Sequence, residues 1–137
     1  MATIFPSQEW LGTLMEKLNT DAKYAQTARN WEGDLMFVIQ PSGALEEETY
    51  LFISLWHGEC KDIAMLESEE EKEVAFKLIA KYDNFLDVLL GKIDPMQAMI
   101  TRKLQVKGSM PYMMRNVPTV LEFVRCAREV TDDHLGK

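Results

Sequence analysis

The chain has 137 residues, with 22 aspartate plus glutamate against 15 lysine plus arginine and a formal net charge of -7. That length supports one compact domain over residues 1–137, large enough to bury a core without disulfide or metal staples. The acidic balance argues against general nucleic-acid binding, because a phosphate backbone repels such a chain. The longest uncharged stretch, Leu35 to Leu45, falls short of the ~20 apolar residues a membrane span needs.

Ser7 is placed to cap a first helix that carries Trp10, Leu11, Leu14, Met15 and Leu18 on one apolar stripe ending near Asn19. A short second helix is expected from Asp21 to Asn30, with Ala22, Ala25 and Ala28 stacked on one side. At Trp31 the period changes to two. Leu35, Phe37 and Ile39 alternate with Asp34, Met36 and Val38 in a first strand that stops at the Pro41-Ser42-Gly43 turn. Tyr50 to His57 is apolar on nearly both faces, as suits a covered strand. Gly58-Glu59 is expected to turn the chain into a third strand, Cys60 to Leu66.

The acidic run Glu67 to Glu73 reads as a solvated loop. Val74, Phe76, Leu78 and Ala80 then mark a fourth strand. Asp83 is expected to cap a helix whose apolar face is Phe85, Leu86, Leu89 and Leu90, with Gly91 as its left-handed stop. Asp94-Pro95 starts another short helix, presenting Met96, Met99 and Ile100. In Lys103-Leu104-Gln105-Val106-Lys107 two apolar side chains point one way and three polar ones the other, so a fifth strand has one wet face. Met110-Pro111-Tyr112-Met113-Met114 reads as a flexible apolar lip. A last helix beginning near Asn116 and Pro118 carries Val117, Val120, Leu121, Val124 and Ala127, with Arg125 and Arg128 outside. These elements make an α+β layer pair of five strands and several helices.

Charge divides along the chain. Residues 101–130 contain Arg102, Lys103, Lys107, Arg115, Arg125 and Arg128 against only Glu122 and Glu129, so a positive lobe sits on an acidic body. Such a lobe suits an anionic headgroup, a membrane surface touched transiently, or a partner's acidic surface. Solvated faces of a strand and a helix produce the same pattern.

Signatures of catalysis are missing. There is no glycine-rich phosphate loop, Gly-x-Ser-x-Gly elbow or His-Glu-x-x-His. His57 and Cys60 form His-x-x-Cys, but a zinc site would need Cys126 and His134 from distant elements, and a Cys-His nucleophile pair lacks an orienting third group. No metal, cofactor or enzymatic role is therefore assigned. Cys60 and Cys126, far apart and without a pairing motif, fit reduced thiols. No basic region followed by an apolar run opens the chain and no peroxisomal tripeptide closes it, so a cytoplasmic protein is expected.

An apolar constellation remains: Phe85, Leu89, Met96, Met99 and Ile100, joined by Met110, Met113 and Met114. Five of the nine methionines fall in it. Unbranched thioether side chains re-pack around apolar ligands of different shape, and they also fill ordinary cores.

Gly91-Lys92-Ile93-Asp94-Pro95-Met96-Gln97-Ala98, followed by Lys103-Leu104-Gln105-Val106-Lys107-Gly108-Ser109-Met110, resembles the signature of the sterol carrier protein family, a Gly-x-x-Asp-Pro-x-x-Ala helix leading into a Lys-Leu-x-Val-x-Gly-x-Met strand. The order of elements over about residues 7–130 is similar too. The resemblance implies a five-stranded, largely antiparallel sheet covered by helices, a hydrophobic tunnel between them, and non-catalytic binding and transfer of fatty acids, acyl-CoA, sterols or isoprenoid lipids. The methionine-rich segment, with Val117 and Leu121, then falls on the tunnel wall, and Arg102 or Arg115 meets an anionic head. Family members often carry glycine just before the Lys-Leu-x-Val strand, where this chain has Thr101-Arg102, so a narrower or more charged approach is expected. Two other roles fit the same fold: a module presenting a quinone-type isoprenoid to partner enzymes, and a ligand-free structural or homodimerising unit.

Overall fold

The computed structural model describes residues 4–136. A two-residue strand β1 (Ile4–Phe5) precedes helix α1 (Gln8–Thr20), which Ser7 caps by accepting from the Trp10 N–H. Trp10, Leu11, Leu14 and Leu18 are buried, and Met15 is half-buried. Helix α2 (Ala22–Thr27) is shorter than the expected Asp21 to Asn30, because Asp21 is its cap and accepts from the Tyr24 N–H. Its inward face is also different from the alanine stack. Tyr24 and Ala28, four residues apart, are buried while Ala22 and Ala25 are exposed, since the aromatic ring removes far more apolar surface from water.

Strands β2 (Leu35–Gln40), β3 (Thr49–Trp56) and β4 (Glu59–Leu66) form an antiparallel meander. The β3–β4 turn consists of His57 and Gly58, not Gly58-Glu59, and both residues have positive φ, 50° and 83°. A turn left-handed at both positions matches the strand twist. Gly58 is further restricted because an added Cβ would lie 2.7 Å from the Ala25 carbonyl oxygen. The ladder shifts register between Ser54 and Leu55, where an Asp34 carboxylate oxygen accepts from the Ser54 hydroxyl at 2.8 Å and the Leu55 N–H at 3.2 Å.

After the acidic turn, β5 (Phe76–Lys81) pairs in parallel with β2. Val74 lies outside this strand, contrary to expectation. Helix α3 (Tyr82–Leu89) follows directly, so Asp83 sits in its first turn instead of capping it. The Asp83 N–H donates to the Ser42 hydroxyl, so the β2 turn supplies the partner that a local cap would have provided. Gly91 takes the expected left-handed stop, with φ 79°. Asp94 caps α4 (Pro95–Ile100) by accepting from the Gln97 N–H.

Strand β6 (Gln105–Lys107) is shorter than Lys103–Lys107 but has the expected facing, with Leu104 buried and Val106 half-buried. The segment expected as an apolar lip is a helix, α5 (Met110–Arg115). Ser109 caps it and Pro111 occupies the first turn, where its missing N–H costs no hydrogen bond. Helix α6 (Val117–Glu129) buries Thr119, Phe123, Cys126 and Ala127. Its apolar face is rotated from the aliphatic one expected, since Phe123 dominates burial and leaves Leu121 exposed. A final strand, β7 (Asp133–His134), pairs in parallel with β1.

The five-stranded sheet has the order β4-β3-β2-β5-β6; β2 and β5 are parallel and the other three neighbouring pairs antiparallel. Leu35, Phe37 and Ile39 face the helices in one continuous apolar cluster, whereas Met36 and Val38 are buried on the other face opposite Phe52 and Tyr50. Central β2 is thus covered on both sides.

Candidate functional site

Between sheet and helices lies an apolar cavity of about 70 Å³. Leu35 and Phe37 of β2, Leu55 of β3 and Leu78 of β5 form its floor, with Trp31 at one end. Phe85, Val88 and Leu89 enter from α3, Pro95 and Met99 from α4, and Met113 from α5. Helix α6 closes the roof with Thr119, Val120, Phe123, Val124 and Ala127, beside Tyr24 of α2 and Leu104.

Three of these side chains carry polar atoms. Trp31 Nε1 donates to the Gly33 carbonyl at 2.9 Å, and Thr119 Oγ1 to the Thr27 carbonyl at 3.2 Å. The Tyr24 hydroxyl is the buried side-chain polar atom without a partner among the described residues, and burial raises its pKa above the usual phenolic value. The wall therefore offers dispersion contact and dryness, with no charged group in it.

Of the side chains picked out in the sequence, the fold brings Phe85, Leu89, Met99 and Met113 to this cavity. Met96 and Val117 are half-buried outside it, and Ile100, Met110, Met114 and Leu121 are exposed. Arg102 and Arg115 are also exposed, away from the lining. Sequence reasoning missed Trp31, Leu35, Phe37 and Phe123. In the sequence Leu35 and Phe37 are legible only as strand residues, Trp31 only marks the change of period and Phe123 is not singled out, and nothing local separates a side chain touching a void from one touching its neighbour.

A second, open cleft of about 360 Å³ runs between the Gly91–Pro95 turn and α6. Pro95 and Val124 line both spaces, so they form the partition between interior and cleft. Arg128 lies in this cleft and donates to the Val88 and Leu89 carbonyls, tying α6 to the end of α3. Arg125 also lines the cleft and contacts Asp21, Glu122 and Glu129, and Lys17 contacts Asp21 and Glu129.

The residues weighed for other chemistry lie apart. His57 is exposed at its turn, 2.6 Å from a Glu32 carboxylate oxygen. Cys60 and Cys126 are buried, and desolvation pushes both thiols up to about 11. The His134 ring contacts the Leu135 carbonyl. Among the described residues no group of three or more His, Cys, Asp or Glu side chains is placed to hold a metal ion. Among them, too, no helix is long and apolar enough to cross a membrane.

Comparison with known proteins agrees with this architecture. No curated protein sequence matches the chain. A crystal structure of sterol carrier protein 2 is 28% identical, with a TM-score of 0.82 over 90% of this chain and 97% of the other. The solution structure of the conserved hypothetical protein TT1886 from Thermus thermophilus is 26% identical, with a TM-score of 0.84 over 96% of this chain and 94% of that one. Sterol carrier protein-2 from Aedes aegypti, solved in complex with the C16 fatty acid palmitate, shares the fold at 16% identity, with a TM-score of 0.52 over 85% and 96% of the two chains. The profile of the SCP-2 sterol transfer family matches residues 6–120, and the chain belongs to that family.

Proposed function

We propose that this protein is a non-catalytic carrier that holds a long apolar ligand between the sheet and helices α3 to α6. The observation that carries this reading is the lining of the cavity, which is apolar apart from two tied-off polar groups and the Tyr24 hydroxyl. The palmitate complex of the Aedes aegypti protein supports a fatty-acyl ligand by shared fold. Hydrocarbon leaving water supplies the affinity, about 0.8 kcal/mol per buried methylene, so a long chain needs no polar anchor.

Size sets the mechanism. A dry cavity of roughly 150 Å³ accommodates a benzene, and the space here is about 70 Å³. The wall therefore has to move to admit a chain. Met99 and Met113 are the flexible parts of it, each on a six-residue helix. Displacing the Pro95–Val124 partition adds the outer cleft to the interior. Phe85 and Leu89 stay as the rigid wall against which the ligand packs.

Native mass spectrometry of detergent-free protein tests the proposal directly. The expected result is a co-purifying mass that lipid extraction identifies as acyl or isoprenoid, together with saturable binding of a fluorescent fatty acid. Absence of both would sink the reading.

A further inference from the structure

The stretch from Ile100 to Arg115 runs along the outer edge of the sheet, with β6 flanked by α4 and α5. Leu104 and Met113 turn into the core, and Val106 and Tyr112 pack against it. What turns outward is unusual. Ile100 is 74% exposed, Met114 55% and Met110 39%, interleaved with the exposed cations Arg102, Lys103, Lys107 and Arg115. No acidic residue occurs between Asp94 and Glu122, in a chain whose net charge is -7.

These four cationic side chains take part in no ion pair or hydrogen bond among the described residues. Lys17, Lys23, Lys61, Lys77 and Arg125 each engage a carboxylate; Lys81 and Lys92 have no ion pair among the described residues either, but they lie outside the 100–115 stretch that joins cations to exposed apolar side chains. Two acidic residues stand near this edge and both are engaged: Glu69 is bound at 3.0 Å to Lys77, which faces Lys107, and Glu32, whose N–H donates to the Tyr112 hydroxyl of α5, has its carboxylate 2.6 Å from the His57 ring. Arg102 adds an independent sign. It occupies the left-handed position after α4, with φ 61°, where glycine or asparagine is normally preferred. A residue held in a disfavoured backbone conformation points toward a use for its side chain.

We infer that this edge is a docking surface for an anionic lipid bilayer. Exposed aliphatic side chains between unpaired cations match the headgroup region, where apolar groups sit at the acyl boundary and each cation meets anionic lipid. A second copy of the same edge is disfavoured by four like charges. A nucleic acid finds cations here, but the exposed apolar groups are aliphatic and give bases no aromatic stacking platform. The acidic body does not cancel the attraction, because charges beyond the Debye length, about 8 Å at physiological salt, are screened. Docking does not depend on what fills the cavity, though Met99 and Met113 lie on the same two short helices, so a bilayer seated here touches the movable wall.

Cosedimentation of the full chain with phosphatidylcholine vesicles, with and without phosphatidylglycerol, tests the surface. Binding is expected only with the anionic lipid and is expected to weaken as salt is added. Arg102→Gln, Lys103→Gln and Arg115→Gln should each lower the partition coefficient about fivefold. Ile100→Ser and Met114→Ser should lower it at fixed salt, and Lys61→Gln on the opposite edge strand should not. Circular dichroism checks that each variant is folded. Equal binding to both vesicle types, equal loss in the Lys61 control, or binding of a mixed-sequence oligonucleotide or self-association abolished by the same substitutions in place of vesicle binding, would each overturn the inference. A chain that docks yet carries no lipid would contradict the carrier reading alone.

Discussion

Arg125 Nη2 donates to the Asp21 carboxylate at 2.7 Å, joining the start of α2 to the middle of α6 across 104 positions of sequence. Asp21 also accepts from the Tyr24 N–H at 2.9 Å, so one side chain caps the helix that carries Tyr24 and clamps it to the cavity roof. The Arg125 guanidinium, and then the Tyr24 N–H, hold the Asp21 carboxyl well below the usual carboxylate range. A depressed folded-state pKa contributes stability that is complete above the unfolded value, about 3.9, and lost as pH falls through the folded one. Urea midpoints should therefore fall below about pH 4 more steeply in the parent chain than in Asp21→Asn. At neutral pH, Asp21→Ala is expected to cost about 1–2 kcal/mol.

Filling the cavity should separate carrying from folding. Val88 is buried and lines it. Val88→Phe places a ring in the void, with an overpacking cost of roughly 1–3 kcal/mol. Saturable binding of a fluorescent fatty acid is expected to disappear while circular dichroism stays native. Met110→Lys, outside the lining, should leave that binding unchanged.

The Tyr24 hydroxyl is buried without a partner. An unsatisfied buried hydroxyl costs about 1–3 kcal/mol, so Tyr24→Phe is expected to raise the stability measured by urea unfolding, by about 1 kcal/mol or more.

Arg102 should trade stability against vesicle binding. Glycine relieves the left-handed backbone at this position, and Arg102→Gly is expected to gain about 1 kcal/mol in urea unfolding. The same variant should bind anionic vesicles more weakly, which a purely structural arginine would not do.

Both thiols are buried, and desolvation raises each to about 11. Since the thiolate is the reactive form, labelling with a thiol-specific disulfide reagent at neutral pH should be slow in the native protein and rapid in denaturant.

Local chemistry is legible at several places where a signal and its partner lie within a few residues, although the Ser109 cap on α5, equally local, is not read as one. Ser7 and Asp94 cap the expected helices, and Gly91 supplies the expected left-handed stop. Where the partner is remote, local signals misled. Asp83 looks like a cap until Ser42 is seen to satisfy its N–H, and the His57-Gly58 turn is decided by pairing of Trp56 with Glu59. The methionine-rich segment was visible as a group, yet four short-range neighbours separate sharply: Met99 and Met113 turn inward, Ile100 and Met114 outward.

The α+β class, the order of the elements from α1 to α6 apart from α5, the family signature at 91–110 and the uneven charge are legible in the sequence, because each rests on spacing or composition; β1, α5 and β7 are not. Which side chains meet is fixed only when the elements pack. The parallel pairing of β2 with β5 brings Phe37 and Leu78 to one floor, and the clamp of Asp21 on Arg125 helps set the roof above them. A void is a property of surfaces that fail to touch, so no periodicity in a single chain encodes it. The unpaired state of Arg102 and Arg115 is likewise a matter of which carboxylates fold within reach.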